Sequence, residues 1–396
     1  MKLSILCCLT DEEELNKATI EVFEKMAAYG LGKNNKVRIG EEFANAAGEG
    51  SMTSAEGSST DIGDSDLSAD DISQEKISMG EKKKHAGAEK EKEEKKSETV
   101  VSDAQMAEYS VQFVLNTSQV TEDKGWYNNV ITRIGNPAFT VIIDDTAYTA
   151  PAEAYHQMAE KADGDYCAFI EAGDVISENL AEILTNGITI CPGHHVYMIA
   201  KTFANATKGA FRNFLKVTDS KKELKPFYVI DLKNKYDCYP FTFAGTILKT
   251  DILKQHNVNT SLGLEIERDF FLRLMAEEMK VVYLPGVEYT AYEYEEHDIT
   301  FYRGLYMQEW YFDSITEFWM PFLTEMEEKY GRIPVFIQYN FMYSIHARFE
   351  GNMDNRNKHV IEEGHGEEYL ELIGKALGLI EESIMLNRNK IAACIT

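Results

Sequence analysis

The chain has 396 residues, 44% apolar and 11% aromatic, which is enough to build a large core and excludes a wholly disordered protein. Against 40 Lys and Arg stand 66 Asp and Glu, a formal net charge of -26. A surface this acidic repels phosphate backbones and anionic lipid headgroups, arguing against broad nucleic-acid binding and electrostatic membrane attachment. The length suggests two or three domains. None of the six cysteines forms a C-x-x-C pair, and Cys7, Cys8 and Cys167 sit in apolar runs, so they read as buried thiols of a reducing, cytosolic chain. The N-terminus lacks a strong basic region and a small-x-small cleavage site, and no run of apolar residues is long enough to span a bilayer.

Residues 3–9 form a continuous apolar run, the pattern of a buried strand in a parallel sheet. Thr10 or Asp11 is placed to cap a helix whose first turn carries Glu12, Glu13 and Glu14, with Ile20, Phe23 and Met26 or Ala27 on its apolar face and Gly30 as its stop. Residues 41–100 differ in kind: 16 acidic and 8 basic side chains, one aromatic, and the closing run EKKKHAGAEKEKEEKK. This composition cannot bury enough apolar surface to offset its ordering entropy, so 41–105 reads as a disordered insertion. Strand patterns resume at 109–115 and 139–143, then a helix at 152–162, a strand at 166–170, a helix from Ser177 through Leu184 and a strand at 195–200. Next come a helix at 269–278 and a strand at 280–284 that Pro285 should stop. Beyond 300 the pattern becomes helical, with segments at about 300–329, 335–350 and 366–387 and a Gly-Arg-Ile-Pro break at 331–334. The order predicts an α/β sheet flanked by helices, followed by an all-helical extension.

The most specific stretch is Ala162-Asp-Gly-Asp-Tyr-Cys-Ala-Phe-Ile-Glu-Ala-Gly-Asp-Val-Ile-Ser-Glu-Asn-Leu180. A helix ends in a small-residue turn, a buried strand follows, and acids stand at its carboxyl end, where open α/β sheets bind ligands. It resembles the A-x-G-D-Y-x-x-F-L-D-x-D-D-x-x-x-x-x-L signature of family 2 glycosyltransferases with the GT-A fold. Ser4-Ile-Leu-Cys-Cys-Leu-Thr-Asp-Glu-Glu is similar to that family's opening strand, and 109–118 lies where its second strand and D-D-G-S stand. Phe243-Ala-Gly-Thr-Ile-Leu-Lys, 267–274 (ERDFFLRL) and 292–297 (YEYEEH) resemble its acceptor half in order.

The resemblance implies a GT-A-like (Rossmann-like) mixed sheet over residues 1–300, interrupted by the insertion, with a helical C-terminal extension over 301–396. It implies an enzyme moving a sugar from a nucleotide-sugar donor to a saccharide or polyol-phosphate acceptor, as in envelope-polysaccharide or teichoic-acid-like synthesis. Its expected place is the cytoplasm, with or without peripheral contact at the membrane's inner face. The alternative is a catalytically inactive relative serving as an interaction module. By the same resemblance Thr10, Asp11 and Asn116 would lie at the nucleotide, Glu171 would replace the first acid of D-x-D, and His297 would lie over the donor. Gly173 supplies no ligand at the second acid, so Asp174 would hold the cation, Mg2+ or Mn2+. Ala154-Tyr-His156 stands where the family has A-R-N. The general base falls in Glu265-Ile-Glu-Arg-Asp269: Glu267 at the helix entrance is favoured, with Asp269 or Glu265 after a one-residue shift. Glu265 and Asp269, four apart, can share a helix face, and Glu267 then points elsewhere. Arg268 could pair with either neighbouring acid. His194-His195 read as a structural turn, the aromatic segment 301–322 as core, and Gly135 and Gly245 lie in no phosphate-loop motif.

Overall fold

The structure is a computed structural model. It describes residues 1–38, 106–121, 134–205, 210–213, 227–236, 240–293, 304, 306–353, 360–361 and 364–387. The predicted insertion at 41–105 and His297 lie outside the described residues.

Strand β1 (Lys2–Cys8) leads into α1 (Glu13–Gly32), and β2 (Lys36–Arg38) then pairs antiparallel with β3 (Met106–Glu108). Strands β4 (Ser110–Asn116) and β5 (Phe139–Asp144) precede α2 (Pro151–Lys161); β6 (Tyr166–Glu171) and the short β7 (Val175–Ile176) precede α3 (Leu180–Ile190). Strands β8 (Val196–Asn205), β9 (Ala210–Asn213), β10 (Tyr228–Asp231) and β11 (Thr246–Lys249) follow, then α4 (Thr250–Gln255), a 3-10 turn at Thr260–Glu265, α5 (Ile266–Glu278) and β12 (Lys280–Glu293). The C-terminal part holds α6 (Gln308–Tyr311), a π-helical turn at Ser314–Trp319, α7 (Met320–Tyr330), α8 (Val335–Met353), α9 (Gly366–Leu377) and α10 (Glu382–Met385).

The main sheet runs β10-β12-β8-β11-β6-β1-β4-β5, with β7 on β12 and β9 on β8. Its β6-β1-β4-β5 half is parallel, while β11 is antiparallel to both neighbours, making the sheet mixed. Leu3, Ile5 and Cys7 pack on one face with Ile20, Phe23 and Met26 of α1; Leu6 and Cys8 pack on the other with Tyr155 and Met158 of α2. Alternation along a strand buried on both sides is why residues 3–9 read as one apolar run. The second face continues without a break through Phe270, Phe271 and Leu274 of α5 into Trp319, Phe322, Phe336 and Ile337. The C-terminal helices therefore share the sheet's core, and of the aromatic segment Trp310, Tyr311, Phe318, Trp319 and Phe322 are buried in it while Tyr306 is exposed.

Several local expectations change. Neither Thr10 nor Asp11 caps α1: the N-cap is Glu12, without a side-chain cap, while Thr10 Oγ1 accepts from the Glu12 N–H (3.1 Å). Gly30 does not stop α1, which continues to Gly32; a Cβ there would come within 2.8 Å of the Phe139 ring, so close packing fixes the glycine. Pro285 does not end β12. Pairing with β8 slips between Leu284 and Glu288 and then resumes, a bulge that removes the need for a proline N–H. Helix α5 begins at Ile266 rather than 269, so Glu267 lies inside its first turn.

Candidate active site

Four parallel strands end in one row. Cys8 is in register with Asn116 on one side and Glu171 on the other, and Asn116 is in register with Asp144. The chain runs outward from β1 through β4 to β5, then returns to the far side of β1 as β6. The crevice beyond β1 and β6 is thus a topological switch point, the place where such sheets bind ligands. Thr10 and Asp11 follow β1 there, Asp11 exposed, and Glu171 ends β6 exposed.

The Thr10 backbone is clamped by the buried Asn16: its N–H donates to Asn16 Oδ1 (3.0 Å) and its carbonyl accepts from Asn16 Nδ2 (2.8 Å). Asn116 is fully buried and engaged on every side. Its Nδ2 donates to the Thr146 carbonyl (2.8 Å) and Asp144 Oδ2 (3.2 Å), and its Oδ1 accepts from the Ser118 N–H (2.9 Å) and hydroxyl (2.7 Å). The acceptor oxygen expected at a base is thus holding the loop after β4. Asp144, which sequence reasoning missed, is the hub of this end of the row: burial pushes its carboxyl up, but Lys161 and Thr146 more than offset that and hold it below the ordinary value. The Asp144-Asp145 pair closing the apolar run 139–143 was the available signal.

Beside Glu171 the turn to β7 takes Gly173 through φ +89°, and the Gly173 N–H donates to Thr19 Oγ1 (2.8 Å). That left-handed backbone favours glycine over the family's second acid. Asp174 is buried, and its Oδ2 accepts from the Tyr289 hydroxyl (2.5 Å), whose oxygen accepts from the Glu171 N–H (3.2 Å). Burial and then Asp174 drive the Tyr289 phenol well up. No group of three or more His, Cys, Asp and Glu stands ready to hold a metal ion among the described residues. With a glycine at one expected ligand and the next acid committed to Tyr289, these residues do not form the Mg2+ or Mn2+ site expected at Asp174.

The three acids near the head of α5 separate as the helical period requires. Glu265 is buried and accepts from Arg268 (2.6 Å), Ser314 (2.5 Å) and Arg348 (3.4 Å). Asp269 is buried against Arg273 (2.7 Å), which also reaches Glu325 (2.6 Å). Both therefore face the C-terminal helices. Asp269, a candidate base, is not brought to the cleft, and Arg268 pairs with Glu265 rather than with Glu267 or Asp269. Glu267 alone turns the other way. It is half-buried, its carboxyl is raised to about 8 by desolvation and then by the charge of Glu171, and Lys201 and a Phe243 backbone hydrogen bond only partly counter that rise. Lys201, on β8, donates to Thr242 Oγ1 (3.3 Å) and the Ala244 carbonyl (3.4 Å) and lies 5.5 Å from the centre of the Tyr289 ring. Sequence reasoning missed it, although a lysine ending the apolar run HVYMIA was a visible anomaly. His195 pairs with Glu278 (2.9 Å), in keeping with a structural turn.

No protein-family model matches the chain, and no curated protein matches it in sequence. Solved structures do. S. aureus TarS 1-349 in complex with UDP-GlcNAc superposes with a TM-score of 0.53 at 10% identity, covering 97% of this chain and 83% of that one. The mannosyltransferase PcManGT from Pyrobaculum calidifontis in complex with GDP-Man and Mn2+ gives 0.40 at 10% identity, covering 99% and 84%. The chain has the GT-A glycosyltransferase fold: a mixed sheet flanked by helices, with a helical C-terminal region.

Proposed function

We propose that the protein is a nucleotide-sugar-dependent glycosyltransferase that inverts at the anomeric carbon, with Glu267 as general base. One observation carries the reading: a carboxyl raised to about 8 stands at the carboxyl-end crevice of a GT-A sheet, beside Glu171 and Lys201. A base is most effective when its pKa lies near the working pH, and one near 8 is about a tenth ionised at pH 7 while being a far stronger base than an ordinary carboxylate. Glu267 takes the acceptor hydroxyl's proton as that oxygen attacks the anomeric carbon from the face opposite the diphosphate. The bond to the diphosphate oxygen breaks, and its electron pair leaves with the nucleotide. Thr10, Asp11 and Glu171 flank the donor's side of the crevice; the role of His297 over the donor belongs to the same proposal. The acceptor is a saccharide or polyol phosphate of the kind built into envelope polysaccharide, a reading supported by the family 2 resemblance of residues 162–180.

The second reading, a catalytically inactive relative that serves as an interaction module, is favoured by Gly173 and by the burial of Asp174. Incubation with UDP- and GDP-sugars and candidate acceptors, with release of nucleoside diphosphate as the readout, separates the two. Release that Glu267→Gln suppresses supports the enzyme. A raised melting temperature with UDP or GDP, together with no release from any donor, supports the inactive relative.

A further inference from the structure

Strand β5 lies two places from β1 in the sheet, about 10 Å away, with β4 between them. The loop that follows β5 nevertheless returns to β1. Asp144 Oδ1 accepts from the Thr146 N–H (3.1 Å) and hydroxyl (2.7 Å), which turns the chain over the end of β4, where Asn116 Nδ2 donates to the Thr146 carbonyl (2.8 Å). Two residues on, the Tyr148 phenol hydrogen-bonds the thiol of Cys8, the last residue of β1. The Tyr148 side chain packs against the cluster that contains Cys8, Ala152 and Tyr155. Glu153 Oε2 then accepts from the Thr149 N–H (2.8 Å) and hydroxyl (2.7 Å), fixing the loop's other end to the first turn of α2. Clamped on both sides, the loop delivers one half-buried ring to the switch point beside β1. Among the described residues of the loops that follow β1, β4, β5 and β6, it is the one aromatic side chain.

Asn116, expected at the base, has no capacity left for one. Its two N–H groups go to Thr146 and Asp144, and its oxygen takes both the N–H and the hydroxyl of Ser118. A side-chain amide offers two donors and two acceptor positions, so all four are filled. The edge of a base cannot be read there, but its face can be stacked nearby. We propose that Tyr148 is the platform on which the donor's nucleobase stacks. This rests on the reading of the protein as a nucleotide-sugar enzyme. Thr10, held by Asn16, and the exposed Asp11 leave the same strand end just beyond Cys8, so they border the stacked base. Every base has a π-face, so this contact favours a nucleotide over a bare diphosphate without choosing between bases.

Isothermal titration calorimetry with UDP and GDP in Mn2+, on the full chain, tests it. The parent should bind at least one of the two, and Tyr148→Leu and Tyr148→Met should each weaken that nucleotide by about tenfold or more, within the range of base–aromatic stacking. Tyr148→Phe keeps the ring and loses the bond to Cys8, so it should stay closer to the parent than to either aliphatic variant. A stacked base absorbs less ultraviolet light, so binding to the parent should lower the nucleotide's absorbance, a readout that needs no variant to fold. Affinity unchanged in both aliphatic variants, an equal loss in Tyr148→Phe, or unaltered absorbance on binding overturns the platform and leaves the enzyme reading standing. So does tighter binding once the ring is removed, which would make Tyr148 an occupant of the base's place. Absence of UDP and GDP binding to the parent takes down both.

Discussion

A carboxyl that titrates near 8 in the folded chain disfavours folding once it ionises, and Glu267 does this at the mouth of the crevice. In the unfolded chain the same group titrates near 4.5. Below that value it is neutral in both states and makes no difference; as the pH rises towards 8 the folded state must surrender its extra proton preference, so stability falls across that window. Glu267→Gln should therefore melt higher than the parent at about pH 9 and alike near pH 4.5, and equal melting temperatures at both would show that the carboxyl is not raised. The same substitution should lower turnover by at least about a hundredfold, the low end for a general base, with donor affinity little altered. Turnover of the parent should climb with pH and level off above about 8; a flat profile from pH 6 to 9 would remove Glu267 from the chemistry.

Helix α5 is the element that makes this possible, because its first turn is held from behind. Arg348 is fully buried; it donates to Glu265, Ser314 (2.6 Å) and the carbonyls of Trp310 (3.0 Å) and Ser344 (3.0 Å), and stacks 4.1 Å from the centre of the Trp310 ring. The π-helical turn at Ser314–Trp319 brings Ser314 into that network. Arg348→Met should cost about 3–5 kcal/mol in urea unfolding, because it removes a buried charge partner of Glu265 and the donor to the Trp310 and Ser344 carbonyls. Adding Glu265→Gln should not recover it, because Arg268 then loses its 2.6 Å partner, and a single variant as stable as the parent would deny the network that weight. Asp269→Asn lies on the clamp side with Arg273 and should leave turnover near that of the parent; a lost turnover would return Asp269 to the candidate bases. The separation of Glu265 and Asp269 from Glu267 was legible from the 3.6-residue period alone. The partners were not, because Arg348 lies 83 residues from Glu265 along the chain and no local pattern announces so distant a contact.

At the scale of the whole molecule, the parallel half of the sheet was readable because β1, β4, β5 and β6 are long apolar runs with a helix or turn signal after each. The antiparallel members β10 and β11 have four residues apiece and β7 has two, too few for any period to show. The crevice was legible through residues 162–180, whereas Lys201, Asp144 and Tyr289 reach it from strands whose neighbours only the tertiary fold defines. The same topology fixes what deletion of 39–105 should do. Arg38 of β2 is in register with Met106 of β3, so the ends of the segment already lie side by side as a two-stranded ladder. Tyr109 then returns to the turn after α1 by donating its N–H to the Asn35 carbonyl (2.9 Å), so the junction stays tied to the body of the protein without help from the segment. Replacing 39–105 by a turn of about four residues halves the loop roughly four times, which lowers its closure entropy cost by about 2 kcal/mol. The shortened protein should melt at or a few degrees above the parent's temperature, with the pH dependence of Glu267 intact. A markedly lower melting temperature would show that the segment contributes to the core, contrary to its composition.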